Sequence, residues 1–215
     1  ELAYPAMMRN LLTDKRVAVL FVGSADGGVK QAIDNTLQDA GAPPSVRMLS
    51  VSVPVNAQSL DGVLTTKGAK FVKYVGDEKL DSLGGALGGE FVRGGQTPLW
   101  KALGRQLIAE RTGDAKQRVD GVVVVRTAKP QQDGTARFLH GLYSGIASAG
   151  VPVVGVEKSG TADSAVDVYR DRGLSAVDDI DKTTGRAALA LLLAGAAPGT
   201  YGTGDKADAI LPTLS

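Results

Sequence analysis

Three carboxylates, Asp178, Asp179 and Asp181, follow the apolar run Leu174–Val177 almost at once. At the carboxyl end of a strand they sit where open α/β sheets place ligands. Three hard oxygen donors suit Mg²⁺ or Ca²⁺. A plainer use is open to the same residues, with one capping the next helix and the others solvated, and capping preferences favour it. The second candidate is the turn Gly23-Ser-Ala-Asp-Gly-Gly28. Its glycines would bare backbone N–H groups at a helix N-terminus, which attracts anions. The dinucleotide fingerprint G-x-G-x-x-G fails because residue 25 is alanine. Asp26 would also repel a phosphate. The turn therefore reads first as a tight strand-to-helix connection capped by Asp26 or Ser24. Gly23, Asp26, Gly27 and Gly28 stand with the three aspartates as ligand-binding candidates.

Other chemistries are poorly equipped. The chain has no cysteine, one histidine and three methionines, so thiolate metal sites, disulfides and thiol nucleophiles are excluded. Cu(I) favours sulfur ligands, which leaves Met7, Met8, Met48 and His140 as weak copper candidates. Met7 and Met8 are adjacent and would point about 100° apart on a helix; filling apolar gaps is the stronger reading for methionine. His140 falls inside an amphipathic helical pattern, with no second histidine to complete a metal pair. Gly141-Leu-Tyr-Ser144-Gly145 misses the spacing of a G-x-S-x-G nucleophile elbow. No catalytic residue and no cofactor is assigned, and the chain reads as a non-enzyme. Gly199-Thr-Tyr-Gly-Thr-Gly-Asp-Lys206 imitates a phosphate loop, but Asp205 stands where the lysine belongs. It also follows a helix, so a flexible or packed tail is expected. Lys101, Arg105, Arg111, Lys116 and Arg118 are interrupted by Glu110 and Asp114. They read as a solvated helix face, and a net charge of +1 gives no nucleic-acid footprint.

The elements that must position these residues are legible. Arg16–Val22 is an uninterrupted apolar run, as a strand covered on both faces should be. Val29, Ile33 and Leu37 then repeat at helical spacing up to Gly41, making the first half of a βαβ unit. Residues 46–53, 119–126, 151–157 and 174–177 read as further strands. Helices are expected near 135–150 (Thr135 capping), 161–169 and 184–193. Residues 56–118 show no strong strand and read as a helical insertion. Within it Leu80, Leu83, Leu87 and Phe91 mark one helix face. Gly84, Gly85, Gly88 and Gly89 lie in the same segment and would let another backbone approach closely. Thr97-Pro98 is a helix start, followed by Leu99, Leu103 and Leu107. The whole predicts one three-layer α/β domain over 15–215, Rossmann-like or flavodoxin-like, with a mostly parallel sheet, preceded by a helical segment over 1–14 that carries Leu2, Met7, Met8, Leu11 and Leu12. The longest apolar run, Ala187 to Ala197, falls short of the roughly 20 residues a membrane span needs.

Near the C-terminus a family resemblance appears. Leu174-Ser-Ala-Val-Asp-Asp-Ile-Asp181, then Gly185-Arg186, a leucine-rich helix and Gly199-Thr-Tyr-Gly-Thr-Gly204 are similar to the C-terminal signature of the actinobacterial MctB family of copper transport, which includes the cell-separation protein SteB. The resemblance covers most of the chain and is weakest over 56–118. It implies an extracytoplasmic α/β domain in the cell envelope, anchored by an N-terminal transmembrane helix and carried on a coiled coil, with Glu1 at the coiled coil's end. It also implies a homodimer through that coiled coil, and a role in copper homeostasis or in cell division beside a membrane partner of the SteA type. No copper ligand is carried over by the matched motif. Three functions follow as expectations: a protein-docking envelope domain, direct copper handling, or small-ligand or nucleotide binding between Gly23–Gly28 and Asp178.

Overall fold

A computed structural model describes residues 4–213 of the chain. Its strands are β1 (Val17–Val22), β2 (Arg47–Val51), β3 (Ile108–Gly113), β4 (Gly121–Arg126), β5 (Val153–Val156), β6 (Ser175–Val177) and β7 (Thr200–Tyr201). They form one sheet in the order β3-β2-β1-β4-β5-β6-β7. β3 pairs antiparallel to β2, and every other pairing is parallel. The sheet is thus the mostly parallel one expected. With β3 counted, its order is that of Rossmann-like sheets; without it, that of flavodoxin-like ones. Either way the chain reverses its winding between β1 and β4, the switch point where such folds present ligands.

β1 is buried at all six positions because its residues alternate between two covered faces. Ala18, Leu20 and Val22 enter one core and Val17, Val19 and Phe21 the other. The second core is closed by α1 (Tyr4–Met8), α2 (Gly27–Asp39) and α9 (Thr183–Ala194). The first is closed by α3 (Ala57–Thr66), α4 (Ala69–Val72), α5 (Leu80–Arg93), α6 (Pro98–Leu107), α7 (Asp133–Ala147) and α8 (Val166–Asp171). Leu2 lies outside the described residues.

The tightest seam joins α5 and α7. A methyl group on Gly84 or Gly88 would strike backbone of residues 138–146, and one on Gly141 or Gly145 would strike backbone at Asp81 or Gly85. Of the four α5 glycines, Gly84 and Gly88 admit a second backbone as the spacing predicts, whereas Gly89 faces the Arg93 side chain. The partners of Gly84 and Gly88 are the two glycines of Gly141-Leu-Tyr-Ser-Gly145, whose spacing misses a nucleophile elbow and serves helix packing instead. Leu80, Leu83, Leu87 and Phe91 are buried along α5.

Several local expectations need correction. The stretch 56–118 holds α3 to α6 but ends in β3, whose last five residues are exposed. Arg111 therefore lies on an edge strand, not on a helix face. An exposed edge needs no apolar alternation, so the sequence carries no strand signal there. Thr97 precedes α6 without a side-chain cap. Glu90, 7% exposed, reaches across from α5 and accepts from Leu99 N at 3.1 Å and Trp100 N at 3.2 Å. Thr135 lies inside α7 and accepts instead from Val55 N at 3.1 Å. α8 begins at Val166, later than expected. The C-terminal segment is packed, because β7 extends the sheet and Asp208 accepts from Thr200 N at 2.9 Å.

Candidate functional site

β6 is only three residues long, so Asp178 and Asp179 leave the sheet directly at its carboxyl end. They are nevertheless buried, Asp178 at 7% exposure and Asp179 at 0%. The loop after β7 closes over them. Thr203 N and Gly204 N each donate to one Asp178 oxygen at 3.1 Å. Asp179 Oδ2 accepts from Thr184 Oγ1 at 2.8 Å and Thr203 Oγ1 at 3.1 Å, while its Oδ1 has no partner among the described residues. Glycine is required around this pair. Gly202, at φ +135°, would overlap Asp178 Oδ1 if it carried a Cβ and would lie 2.8 Å from Asp179 Oδ1. A Cβ on Gly204 would strike Asp178, and one on Gly185 would strike Asp179. The residues V-D-D-I-D, G-R and Y-G-T-G, far apart in sequence, are thus one packed unit. Burial pushes the Asp178 carboxyl above its ordinary range, against the pull of its two N–H donors.

None of the three aspartates caps α9, whose N-cap is Lys182 without a side-chain bond. Asp181 turns the other way and accepts from Ser159 N and Ser159 Oγ, both at 2.7 Å. Beside Asp178 opens a cavity of about 320 Å³, also lined by Glu157, Ser159, Lys182 and Thr203. Glu157 is 7% exposed, and its Oε2 accepts from Ala165 N at 2.7 Å. Spacing along the chain gives no hint of Glu157 and marks Thr203 only as part of Gly199–Gly204; the two reach the site from just beyond β5 and β7.

At the switch point, Asp26 caps α2 by accepting from Val29 N at 2.9 Å. Gly23 has φ +105°, and a Cβ there would lie 2.6 Å from Thr127 Oγ1 and 2.7 Å from Ala128 N. The β4–α7 connection therefore lies directly on the glycine turn. Thr127 N and Ala128 N both donate to Val22 O at 3.0 Å, and Thr127 Oγ1 donates to Ser24 O at 2.6 Å. The β4–α7 connection thus covers the Gly23 end of the turn that dinucleotide-binding folds use for a pyrophosphate. Gly27 stands clear, with nothing within 4 Å of its Cβ position.

The β5–α8 connection links the two candidate clusters. Lys158 Nζ bonds Asp26 at 2.8 Å while its neighbour Ser159 holds Asp181. That lysine holds the Asp26 carboxyl below its ordinary range. A second cavity of about 360 Å³ opens beside them, lined by Gly28, Lys158, Asp181 and Arg186 among others.

The four copper candidates are not brought together. Met8 and Met48 are buried in the core between the sheet and α1, α2 and α9. Met7 is 36% exposed on α1. His140 lies on α7, across the sheet, with Nδ1 bound to Asp81. Among the described residues no group of three or more His, Cys, Asp or Glu is disposed to hold a metal ion.

No helix among the described residues is long and apolar enough to cross a membrane. Among curated proteins none matches the chain. The sequence pattern of the family described as "Copper transport outer membrane protein, MctB" matches residues 1–212. That span includes the whole carboxylate–glycine unit and the sheet beneath it. The chain belongs to the MctB family of copper transport outer membrane proteins, a family of the cell envelope.

Proposed function

We propose that this domain is a non-catalytic docking body on the extracytoplasmic side of the membrane. It would serve copper homeostasis, and the division and separation of cells, through protein contacts and not by ligating copper. The observation that carries this reading is the dispersal of the copper donors: two thioethers sit in the core, the third is on α1, and the imidazole is across the sheet beside a carboxylate. A Cu(I) site needs two or three soft donors within one coordination sphere, and converging these would require dismantling the core. Nucleotide binding at the switch point is disfavoured because Thr127 and Ala128 pack on Gly23 and the Asp26 carboxylate caps the start of α2.

In this proposal the domain is carried by an upstream transmembrane helix and coiled coil, pairs with a second copy through that coil, and meets a division protein of the SteA type. The test is co-purification of that partner with the anchored full-length protein, with and without this domain, beside copper titration of the isolated domain. Loss of the partner on deleting the domain, with no copper site tighter than micromolar, is the expected pair of results. A stoichiometric copper site of higher affinity, abolished by Met7→Leu or His140→Gln, would move the function to direct copper handling.

A further inference from the structure

A third cavity, of about 180 Å³, lies beyond the carboxyl end of β4, between the β4–α7 connection, α7 and α8. It is separate from the carboxylate–glycine unit and carries the opposite charge. Arg126, Arg172 and His140 line it with Tyr143, Leu139 and Val168, and no carboxylate does. Among the described residues neither Arg126 nor Arg172 forms an ion pair. His140 is paired with Asp81, which does not line the cavity.

Two orphan polar atoms belong to residues of this cavity. Tyr143 is 2% exposed, and its hydroxyl has no hydrogen-bond partner among the described residues. Arg126 Nε is also buried without an acceptor, while Nη2 donates to Asp163 O. Buried polar groups are almost always satisfied, so two exceptions in one wall are unusual. The wall is otherwise rigidly built. Gly155 on β5 has no Cβ, which lets the Tyr169 ring lie against the strand. Tyr169 Oη accepts from Arg126 N at 2.8 Å, and its ring meets Tyr143 edge-on at 6.2 Å. The arginine and the tyrosine are therefore held in place before any ligand arrives.

We propose that this cavity binds a small organic carboxylate, its anionic end met by Arg126, Arg172 and the Tyr143 hydroxyl and its apolar body lying on Leu139 and Val168. Guanidinium groups match a carboxylate's two oxygens, and a nearby phenol donates where the carboxylate still has lone pairs. At about 180 Å³ the cavity is smaller than the roughly 300 Å³ at which drug-sized sites begin, which fits a ligand of one ring or a short branched chain. The site is independent of the docking role and of copper.

The experiment is amide-resolved NMR titration of the chain with benzoate, against benzyl alcohol as the neutral analogue of similar shape. Benzoate should shift resonances of the β4–α7 connection, α7 and α8, with an affinity on the order of millimolar or tighter. Benzyl alcohol should bind at least about tenfold more weakly, as should benzoate to Arg172→Gln. Tyr143→Phe should also weaken benzoate while raising the melting temperature of the free protein, since it removes an unsatisfied hydroxyl. Equal binding of the two probes overturns the proposal, as does unchanged benzoate affinity in a folded Arg172→Gln or Tyr143→Phe protein, or shifts confined to other parts of the fold.

Discussion

Asp178 sets two opposing effects against each other in one side chain. Leaving water penalises its charge, while Thr203 N and Gly204 N reward it, and the penalty prevails, since its carboxyl is pushed up. Asp178→Asn relieves the charge but turns an NH₂ toward one of those donors. It should cost about 1–2 kcal/mol, and Asp178→Ala about 2–3 kcal/mol because both N–H groups lose their acceptor. Urea unfolding measures both. If Ala proved no worse than Asn, the loop would not depend on the carboxylate. Asp26 has the reverse sign. Lys158 depresses its carboxyl below the ordinary value of 3.8, so the pair stabilises the fold above that pH and the gain fades as pH falls through the lowered value. Lys158→Met should therefore be less stable than the native chain at neutral pH, with the gap closing in acid once Asp26 is protonated in both proteins. Melting curves across that range check it; a gap that persisted in acid would mean Lys158 acts through packing. Of these residues, the sequence alone made Asp26 legible as a cap, because capping is local. Asp178's donors lie in the loop just after β7, a strand of two residues with no readable pattern.

The seam between α5 and α7 turns on which glycines face it. Gly84→Ala, Gly88→Ala and Gly141→Ala each drive a methyl into backbone that cannot rotate away. Each should destabilise by about 2–3 kcal/mol or more. Gly62→Ala in α3 meets nothing within 4 Å and should instead stabilise by about 0.5–1 kcal/mol through helix propensity. Thermal denaturation of the four variants separates close packing from propensity; a uniform gain would show that the helices can part without cost. The spacing of the α5 glycines disclosed the close approach in the sequence. The partner stayed hidden, because which helices meet depends on sheet order, and Gly141 and Gly145 are also far from α5 along the chain. Glu90 was obscure for a similar reason. It does the work expected of Thr97 from the neighbouring helix α5, and its carboxyl is pushed up by burial despite the two N–H groups it accepts from. Local capping patterns see only the residues next to the helix start.

For the whole molecule, the apolar runs made the parallel strands readable, and their order still places the switch point between β1 and β4. What the order does not reveal is whether that point is open. Closure depends on Gly23, which permits Thr127 and Ala128 to settle on Val22 O and Ser24 O. A pyrophosphate entering there would have to displace three hydrogen bonds and confront Asp26, already engaged by Lys158 and Val29 N. A nucleotide bound at 10 μM affinity and supplied at 1 mM would add about 2.7 kcal/mol, a rise of several degrees for a chain of this size. We expect AMP, ADP and NAD at about 1 mM to move the melting temperature by less than about 1 °C. Gly23→Ala should lower it by several degrees, because the methyl meets Thr127 and Ala128 in a left-handed backbone region that alanine avoids. The two measurements depend on one contact. Nucleotide stabilisation together with a tolerated Gly23→Ala would mean that the β4–α7 connection lifts readily from the turn, and the dinucleotide-type crevice would then be a working site.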